Sequence, residues 1–568
     1  MENIFLDIGL VIIIATLAAY VISLMRQPLI LAYMIAGLAI GPAFLGLINN
    51  TEVIMTLSGI GIAFLLFIVG LEIDLRKLRN LGWVATVVGT GQVFLTFLLG
   101  FFAALYFGFV HVEALYIALA LALSSTMVVV KLLSDKREID TLHGRIIISI
   151  LLVQDVVAIL ALAVIPSLNS SALFIVEAVA KGAAMLFVAV VLTKFVIPKV
   201  FGLIAHSREL LFLSSVAWCF LAAISAGLLG YSIAIGAFLA GVSLASLKYN
   251  LEIISMVRPL RDFFATIFFV SLGMQISMAA FYLFMPIIIF SLIVVVGSTI
   301  VTMFLMALMG YGKRTSFFTA IAIAQISEFS LIIVALGYSM GQVSQEVVSL
   351  IAAVAIITIT ITTYFIKYDN SIYLRISRLL SLLEKLPVKS RETGYKPAAF
   401  DAEIVLCGYD RIGYSIFRRL GEKNKRLLVI DYNPEVIKDL AGRKIPCIYG
   451  DIGDLEILDR INLKKIEALI STIPDKQDNL LLVRELKKMN RKALIVVTAS
   501  QIDDALELYD AGADYVILPH FLGGEHVSVL LEDFSKDLSK VVKTRLMHIK
   551  ELHNRKKMGH EHPGHHTK

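Results

Sequence analysis

The chain has 568 residues, 58% of them hydrophobic and only 17% charged, and its mean hydropathy is +0.83. No soluble globular class has that balance, so most of the chain belongs in lipid. The net charge of +6 is accounted for by membrane topology, with no call for nucleic acid, and Cys219, Cys407 and Cys447 lack metal-ligand spacing and form no disulfide framework.

Met1-Glu2-Asn3-Ile4 has no basic n-region, and the first apolar run, 4–25, is long enough to span rather than serve as a signal peptide. Further runs lie at 29–48, 53–73, 82–107, 113–131, 144–165, 172–197, 209–228, 231–247, 255–274, 280–309, 316–340 and 346–366, giving about 13 transmembrane helices. Connections after the odd-numbered runs carry Arg26; Arg76, Lys77 and Arg79; Lys131, Lys136 and Arg137; Lys194 and Lys199; Lys248, Arg258 and Arg261; Lys313 and Arg314; and Lys367. The alternate connections carry no Lys or Arg. The positive-inside rule then puts the N-terminus outside and everything after Lys367 in the cytoplasm of a multi-pass protein of the cell membrane.

Glu72 and Asp74 end the third run beside Arg76 and Lys77, which reads as capping or interfacial pairing rather than a place in an ion path. The fifth run contains Leu123-Ser124-Ser125-Thr126 and the twelfth Ala324-Gln325-Ile326-Ser327-Glu328-Phe329-Ser330. Hydroxyls and amides at membrane depth can satisfy freed backbone, so both runs are expected to be broken helices crossing near the membrane centre. Their odd offset gives them opposite directions, as an inverted repeat requires. The alternative is intact helices whose hydroxyls bond back to the i−4 carbonyl.

Between those runs, Asp155 sits ten residues beyond Arg145 in Val153-Gln154-Asp155-Val156. At about 1.5 Å per residue it lies ~15 Å deep, the middle of a bilayer core. An ionised carboxylate is costly there, so Asp155 is the expected ion and proton site, with the neutral Gln154 amide beside it able to accept or coordinate. Thr126, Ser125, Gln325 and Glu328 complete the candidate set. For Glu328 a neutral structural carboxyl and a proton-transfer role both stand.

After Lys367 the composition changes. Residues 371–386 have a basic amphipathic pattern suited to the inner membrane surface, Pro387 ends it, and Ser390-Arg391-Glu392-Thr393-Gly394 reads as a linker, so 1–367 is the transmembrane unit and 368–400 the connection. In 401–520 strands are expected at 402–407, 427–431, 447–451, 468–472, 493–498 and 515–518, alternating with helices in the βαβ rhythm of a Rossmann-like sheet. Gly408 and Gly413, with Arg411 and Ile412 between them, open the first helix for a phosphate, and Asp431 ends the second strand as a ribose acceptor. Asp410 stands where the fingerprint has its second glycine, which disfavours a diphosphate and leaves AMP, NAD(H) or no nucleotide as possible occupants. No hydride-transfer site accompanies this fold, so it reads as a regulatory sensor and not as an enzyme with a catalytic cofactor. In 521–568 a helix is followed by a tail with His560, His562, His565 and His566, for which solvated disorder competes with transition-metal binding.

The stretches Leu66-Phe67-Ile68-Val69-Gly70-Leu71-Glu72-Ile73-Asp74, Ala122-Leu123-Ser124-Ser125-Thr126, Val153-Gln154-Asp155, Phe268-Phe269-Val270-Ser271-Leu272-Gly273-Met274 and Gln325-Ile326-Ser327-Glu328-Phe329, with Tyr449-Gly450-Asp451, resemble the monovalent cation:proton antiporter-two family. Within it they are similar to Kef-type potassium:proton antiporters with an RCK/TrkA-N-like domain. The resemblance implies a core domain and a dimerisation domain that move against each other, a homodimer, Asp155 alternately holding cation and proton, a small cytosolic ligand or ancillary subunit as regulator, and a nucleotide near Asp451. Relatives that exchange sodium electrogenically often carry two adjacent acids. Gln154-Asp155 offers one, which favours electroneutral exchange of K+ over Na+. A ligand-gated potassium channel would need a Thr-Val-Gly-Tyr-Gly-like filter, which the sequence lacks. A membrane-tethered oxidoreductase would need a flavin or haem site, and none is legible.

Overall fold

The computed structural model describes residues 4–48, 51–72, 83–136, 138, 139, 141–164, 191–204, 206–229, 233–277, 282–380, 402–409, 411–420, 426–431, 434–450, 452, 453, 457, 461–522, 524, 527, 528 and 549. They fall into two compact units, one of helices that ends at residue 385 and leaves out 140–142 and 309–315, and one centred on a parallel sheet that takes in those two short segments and the residues after 385.

The first unit runs α1 (Ile4–Leu24), α2 (Leu29–Ile40), α3 (Thr51–Glu72), α4 (Trp83–Tyr106), α5 (His111–Ala122), α6 (Thr126–Lys136) and α7 (Leu142–Val164). It continues with α8 (Ile197–Ile204), α9 (Arg208–Leu228), α10 (Ile233–Ala245), α11 (Asn250–Met274), α12 (Phe284–Leu292), α13 (Ser298–Leu308), α14 (Lys313–Ala322), α15 (Glu328–Ser339), α16 (Gln345–Lys367) and α17 (Asp369–Leu380). Eight helical stretches among the described residues are long and apolar enough to cross a membrane, and α2, α10 and α15 are shorter apolar helices. Every run expected from the sequence coincides with one or two of these helices except 172–197, most of which lies outside the described residues.

Between apolar helices in lipid there is little hydrophobic drive, so close backbone packing must hold them. A Cβ on Gly273 of α11 would fall 2.1 Å from the Met34 carbonyl oxygen of α2, and one on Gly241 of α10 would fall 2.0 Å from the Phe67 carbonyl oxygen of α3. These contacts seat α10 and α11 against α2 and α3. Helix α11 begins five residues before its apolar run of 255–274, and it carries Arg258 and Arg261, counted among the connection's charges, inside the helix. Its charged first turns find partners: Arg208 is 3.5 Å from Glu252, Arg258 is 3.3 Å from Glu72, and Arg261 is 2.7 Å from Asp262.

Helix α17 turns its apolar face onto α14, where Tyr373 and Leu380 pack with Phe317 and Phe318. Its first residue, Asp369, places Oδ2 2.5 Å from Lys136 Nζ at the end of α6. Lys136 also reaches Glu138 Oε1 at 2.7 Å, and His143 Nε2 lies 3.3 Å from Glu138 Oε2. The amphipathic segment expected to lie on a membrane surface is thus anchored through 380 by packing and charge, while 381–386 and the polar linker lie outside the described residues. Burial works to raise the Glu138 carboxyl, but the His143 hydrogen bond and the Lys136 charge outweigh it and hold it below the ordinary carboxylate value.

The second unit runs β1 (Ile404–Cys407), α18 (Arg411–Leu420), β2 (Leu427–Asp431), α19 (Pro434–Gly442), β3 (Cys447–Tyr449), β4 (Ala468–Ser471), α20 (Lys476–Met489), β5 (Leu494–Thr498), α21 (Ile502–Asp510) and β6 (Tyr515–Ile517). The order is β3-β2-β1-β4-β5-β6 and every pair is parallel. Such strands are covered on both faces, which is why they read as unbroken apolar runs. The direction of winding reverses between β1 and β4, and the crevice outside their carboxyl ends is where doubly wound sheets take ligands. Cys219, Cys407 and Cys447 are all buried free thiols.

Removing the Lys136 ammonium leaves two largely buried carboxylates facing each other, so Lys136→Met should destabilise the detergent-solubilised protein by about 3–5 kcal/mol in thermal unfolding, with Lys136→Met plus Asp369→Leu recovering part of the loss. A depressed Glu138 contributes stability that is complete above its unfolded pKa and is lost as pH falls through the folded value. Wild type should therefore lose more stability than Glu138→Gln below about pH 4, where ordinary glutamates titrate.

Candidate functional site

Both hydroxyl-rich runs are interrupted helices. Helix α5 stops at Ala122, Leu123 is extended with φ −100° and ψ 141°, and α6 starts at Thr126. Helix α14 stops at Ala322 and α15 starts at Glu328, capped by Ser327, whose hydroxyl accepts from the Phe329 N–H. Each interruption frees backbone groups that cost several kcal/mol apiece if left bare in lipid.

The two breaks satisfy one another. Ser124 Oγ donates to the Ile323 carbonyl at 2.7 Å, Ser330 Oγ to the Ala120 carbonyl at 2.6 Å, and Gln325 Nε2 to the Ser125 carbonyl at 3.4 Å. Helix α16 supports the second break through Thr362, whose hydroxyl donates to the Ala324 carbonyl at 2.7 Å, and Thr358, which accepts from the Ile326 N–H at 3.4 Å. Helices α4 and α7 support the first. Ser124 N–H donates to Gln154 Oε1 at 3.1 Å, Gln154 Nε2 to Gln92 Oε1 at 2.5 Å, and Gln92 Nε2 to the Ala122 carbonyl at 3.3 Å.

Against this frame stands Asp155 of α7. Thr126 Oγ1 lies 3.0 Å from both carboxylate oxygens, and as the first residue of α6 it brings the positive end of that helix to the acid. Asp155 and Thr126 are half-buried, whereas Ser125, Gln154, Gln325 and Glu328 are buried. The Glu328 carboxyl meets the Ser125 hydroxyl and the Met127 backbone. Glu328 Oε2 and Gln325 Oε1 are buried with no hydrogen-bond partner among the described residues. Bare oxygens of that kind suit a monovalent cation as cargo, since a cation needs oxygen ligands and no proton.

The structure therefore links Asp155, Thr126, Ser125, Gln325 and Glu328 through one set of contacts. Gln154 is used differently from the sequence expectation: its oxygen is held by a backbone N–H, so its amide braces the break. Sequence reading missed Gln92, Thr358 and Thr362. The available signals were an amide in the middle of an apolar run and two threonines one turn apart on one helix face.

In the sheet unit Gly408 has φ +87°, a conformation open to glycine, and a Cβ on Gly413 would lie 1.9 Å from the Gly408 carbonyl oxygen, so α18 can pack on β1 only with glycine there. Asp431 ends β2 and its Oδ2 accepts the Tyr409 N–H at 2.7 Å, which aims the carboxylate at the β1 turn. Ile412 is half-buried in the first turn of α18, which opens at Arg411. Asp410, Asp451, Asp74, His560, His562, His565 and His566 lie outside the described residues. Among the described residues no cluster of three metal-ligating side chains occurs.

The family model described as "Sodium/hydrogen exchanger, transmembrane" matches residues 11–367, and those are the residues that build the crossed breaks. The chain belongs to this family. A TrkA-N domain model matches 404–519, the parallel sheet. K(+) efflux antiporter 5 of Arabidopsis thaliana is 30% identical over 64% of this chain and 66% of its own length, and K(+) efflux antiporter 4 of the same plant is 30% identical over 70% and 68%. The chain thus spans about two thirds of the length of these plant relatives. The glutathione-regulated potassium-efflux system protein KefC of Escherichia coli O81 is 29% identical over 85% of this chain and 78% of its own.

Thr126→Val removes both bonds to Asp155 while keeping the side chain's shape. Losing a hydrogen bond to a charged group costs about 1.5–3 kcal/mol, so, on the reading proposed below that Asp155 holds the cation, the half-saturating concentration in a vesicle exchange assay should rise by about tenfold or more.

Proposed function

We propose that this chain is a secondary active antiporter that exchanges a monovalent cation, K+ in preference to Na+, for H+ across the cytoplasmic membrane. The observation that carries the reading is the half-buried Asp155 held by Thr126 where two broken helices meet, in the same set of contacts as Gln325 and Glu328, whose Oε1 and Oε2 have no hydrogen-bond partner among the described residues. A carboxylate desolvated on one side can hold either a cation or a proton, and occupancy by one excludes the other. Coupling then follows from competition for a single group. K+ is favoured by the relatives named for K+ efflux and by the single acid of Gln154-Asp155.

The positive-inside pattern supports an outside N-terminus and a cytoplasmic sheet unit. Family resemblance supports a homodimer. The sheet is read as a regulatory domain that takes an adenine nucleotide, AMP or NAD(H), at the β1 turn. Gly408, Gly413 and Asp431 supply a close backbone approach, a helix N-terminus and an acceptor for ribose hydroxyls. A ligand that binds one gating state better shifts transport by its differential affinity.

Proteoliposomes with a pH dye inside decide the transport reading. A K+ gradient should drive proton movement in wild type and none in Asp155→Asn, with the variant still folded; persistent flux in the variant would remove Asp155 from the role. With one acid the exchange is electroneutral, so clamping the potential with an ionophore should leave the rate unchanged, and a steep dependence would mean that Glu328 moves a second charge. Running K+, Na+ and Rb+ in turn ranks the ions. For the regulatory reading, AMP or NADH should raise the thermal stability of the full chain and alter its exchange rate, and Asp431→Ala should lose both effects; no response to AMP, ATP, NAD or NADH would leave the sheet unit without a nucleotide role.

A further inference from the structure

The structure assigns to Gln92 of α4 a positioning role at the ion site: through Gln154 it fixes the unwound Leu123-Ser124-Ser125 segment that presents Thr126 to Asp155. The inference rests on the antiporter reading for its transport readout and on geometry for its placement. Gln92 and Gln154 are each 1% exposed, on α4 and α7. Where the helices approach, a Cβ on Gly89, one turn before Gln92, would sit 3.1 Å from Val153 Cβ. The two amides meet because α4 and α7 are that close.

The hydrogen bonds leave one arrangement of donors and acceptors. A backbone N–H only donates, so the Gln154 atom facing Ser124 N–H is its oxygen, and its nitrogen must face Gln92. A carbonyl only accepts, so Gln92 presents its nitrogen to Ala122 and its oxygen to Gln154. The same nitrogen lies 3.2 Å from Thr96 Oγ1, itself fully buried. The path from Ala122 through Gln92 and Gln154 to Ser124 thus takes up one freed carbonyl and one freed N–H on either side of the break. Two side chains replace hydrogen bonds the helix lost. If Gln92 loses its amide, Gln154 Nε2 is bare and the Ala122 carbonyl is bare, and the cheapest repair is to rotate Gln154 or rewind the segment. Either displaces Thr126 from its 3.0 Å contacts with both Asp155 oxygens.

Gln92 touches neither ion nor carboxylate, so its signature is a change in cation affinity with little change in the saturated rate. In proteoliposomes Gln92→Met, close in shape, should raise the KM for K+ by about tenfold while the saturated rate stays within about threefold. Gln154→Met should do the same, and the double variant should be no worse than the worse single, since both break one path. Wild-type KM in Gln92→Met, or effects that multiply in the double variant, would overturn the assignment. Should Gln92→Met not accumulate, Gln92→Glu decides: a protonated carboxyl keeps one donor and one acceptor, so its KM should approach wild type at acid pH and rise about tenfold above wild type at alkaline pH. A pH profile parallel to wild type would overturn it. Absence of K+-driven proton flux in wild type would instead defeat the antiporter reading. Peptide-level hydrogen exchange across 123–125, which needs no transport, then remains decisive: faster exchange in the variant supports the brace, and unchanged exchange overturns it.

Discussion

Unpaired backbone inside a lipid-facing bundle is the constraint from which the rest of this molecule follows. Two helices are interrupted where there is no water to meet the freed N–H and C=O groups, and each group must find a partner in a neighbouring helix. Ser124, Ser330 and Gln325 join the two breaks, Thr358 and Thr362 hold one of them from α16, and Gln92 with Gln154 holds the other from α4 and α7. With the ladder repaired sideways, a polar pocket can exist in lipid. The end of one half-helix, marked by Thr126, can then point at Asp155, and the N-terminus of the other begins at Glu328.

The arrangement separates two jobs that the sequence ran together. Some polar groups at this depth are spent on architecture: Gln154, Gln92, Ser124 and Thr362 have their capacity taken up by backbone. Others keep capacity in reserve, and Gln325 Oε1 and Glu328 Oε2 are the clearest instances. On the proposed antiporter reading, a transported ion must be released as readily as it is bound, and a few uncommitted oxygens serve that better than a closed cage.

Most of the architecture was legible in the sequence because lipid enforces it. Spanning runs, charge bias in the connections and the six buried strands with glycines at 408 and 413 follow from composition and period alone. The breaks were legible too, since Ser124-Ser125-Thr126 and Gln325-Ile326-Ser327-Glu328 have no reason to stand mid-membrane in an intact helix. Partnerships were not. That Gln154 turns toward Gln92, 62 residues away in sequence, depends on the approach of α4 to α7, which one glycine permits and no periodicity announces. Likewise the pairing of Arg258 on α11 with Glu72 at the end of α3, 186 residues away in sequence, is a fact of packing that hydropathy does not carry.

Helix α17 belongs with the exchanger by its contacts although it is too polar to belong by hydropathy. Its Asp369 meets the last residue of one half-helix pair, and its Tyr373 and Leu380 cover the first half of the other. By these contacts the compact helical unit takes in α17 and does not end at the last apolar residue. A truncation at Lys367 would strip an aromatic face from α14 and take Asp369 away from Lys136, so the helical unit is held together by residues that lie beyond the membrane segments.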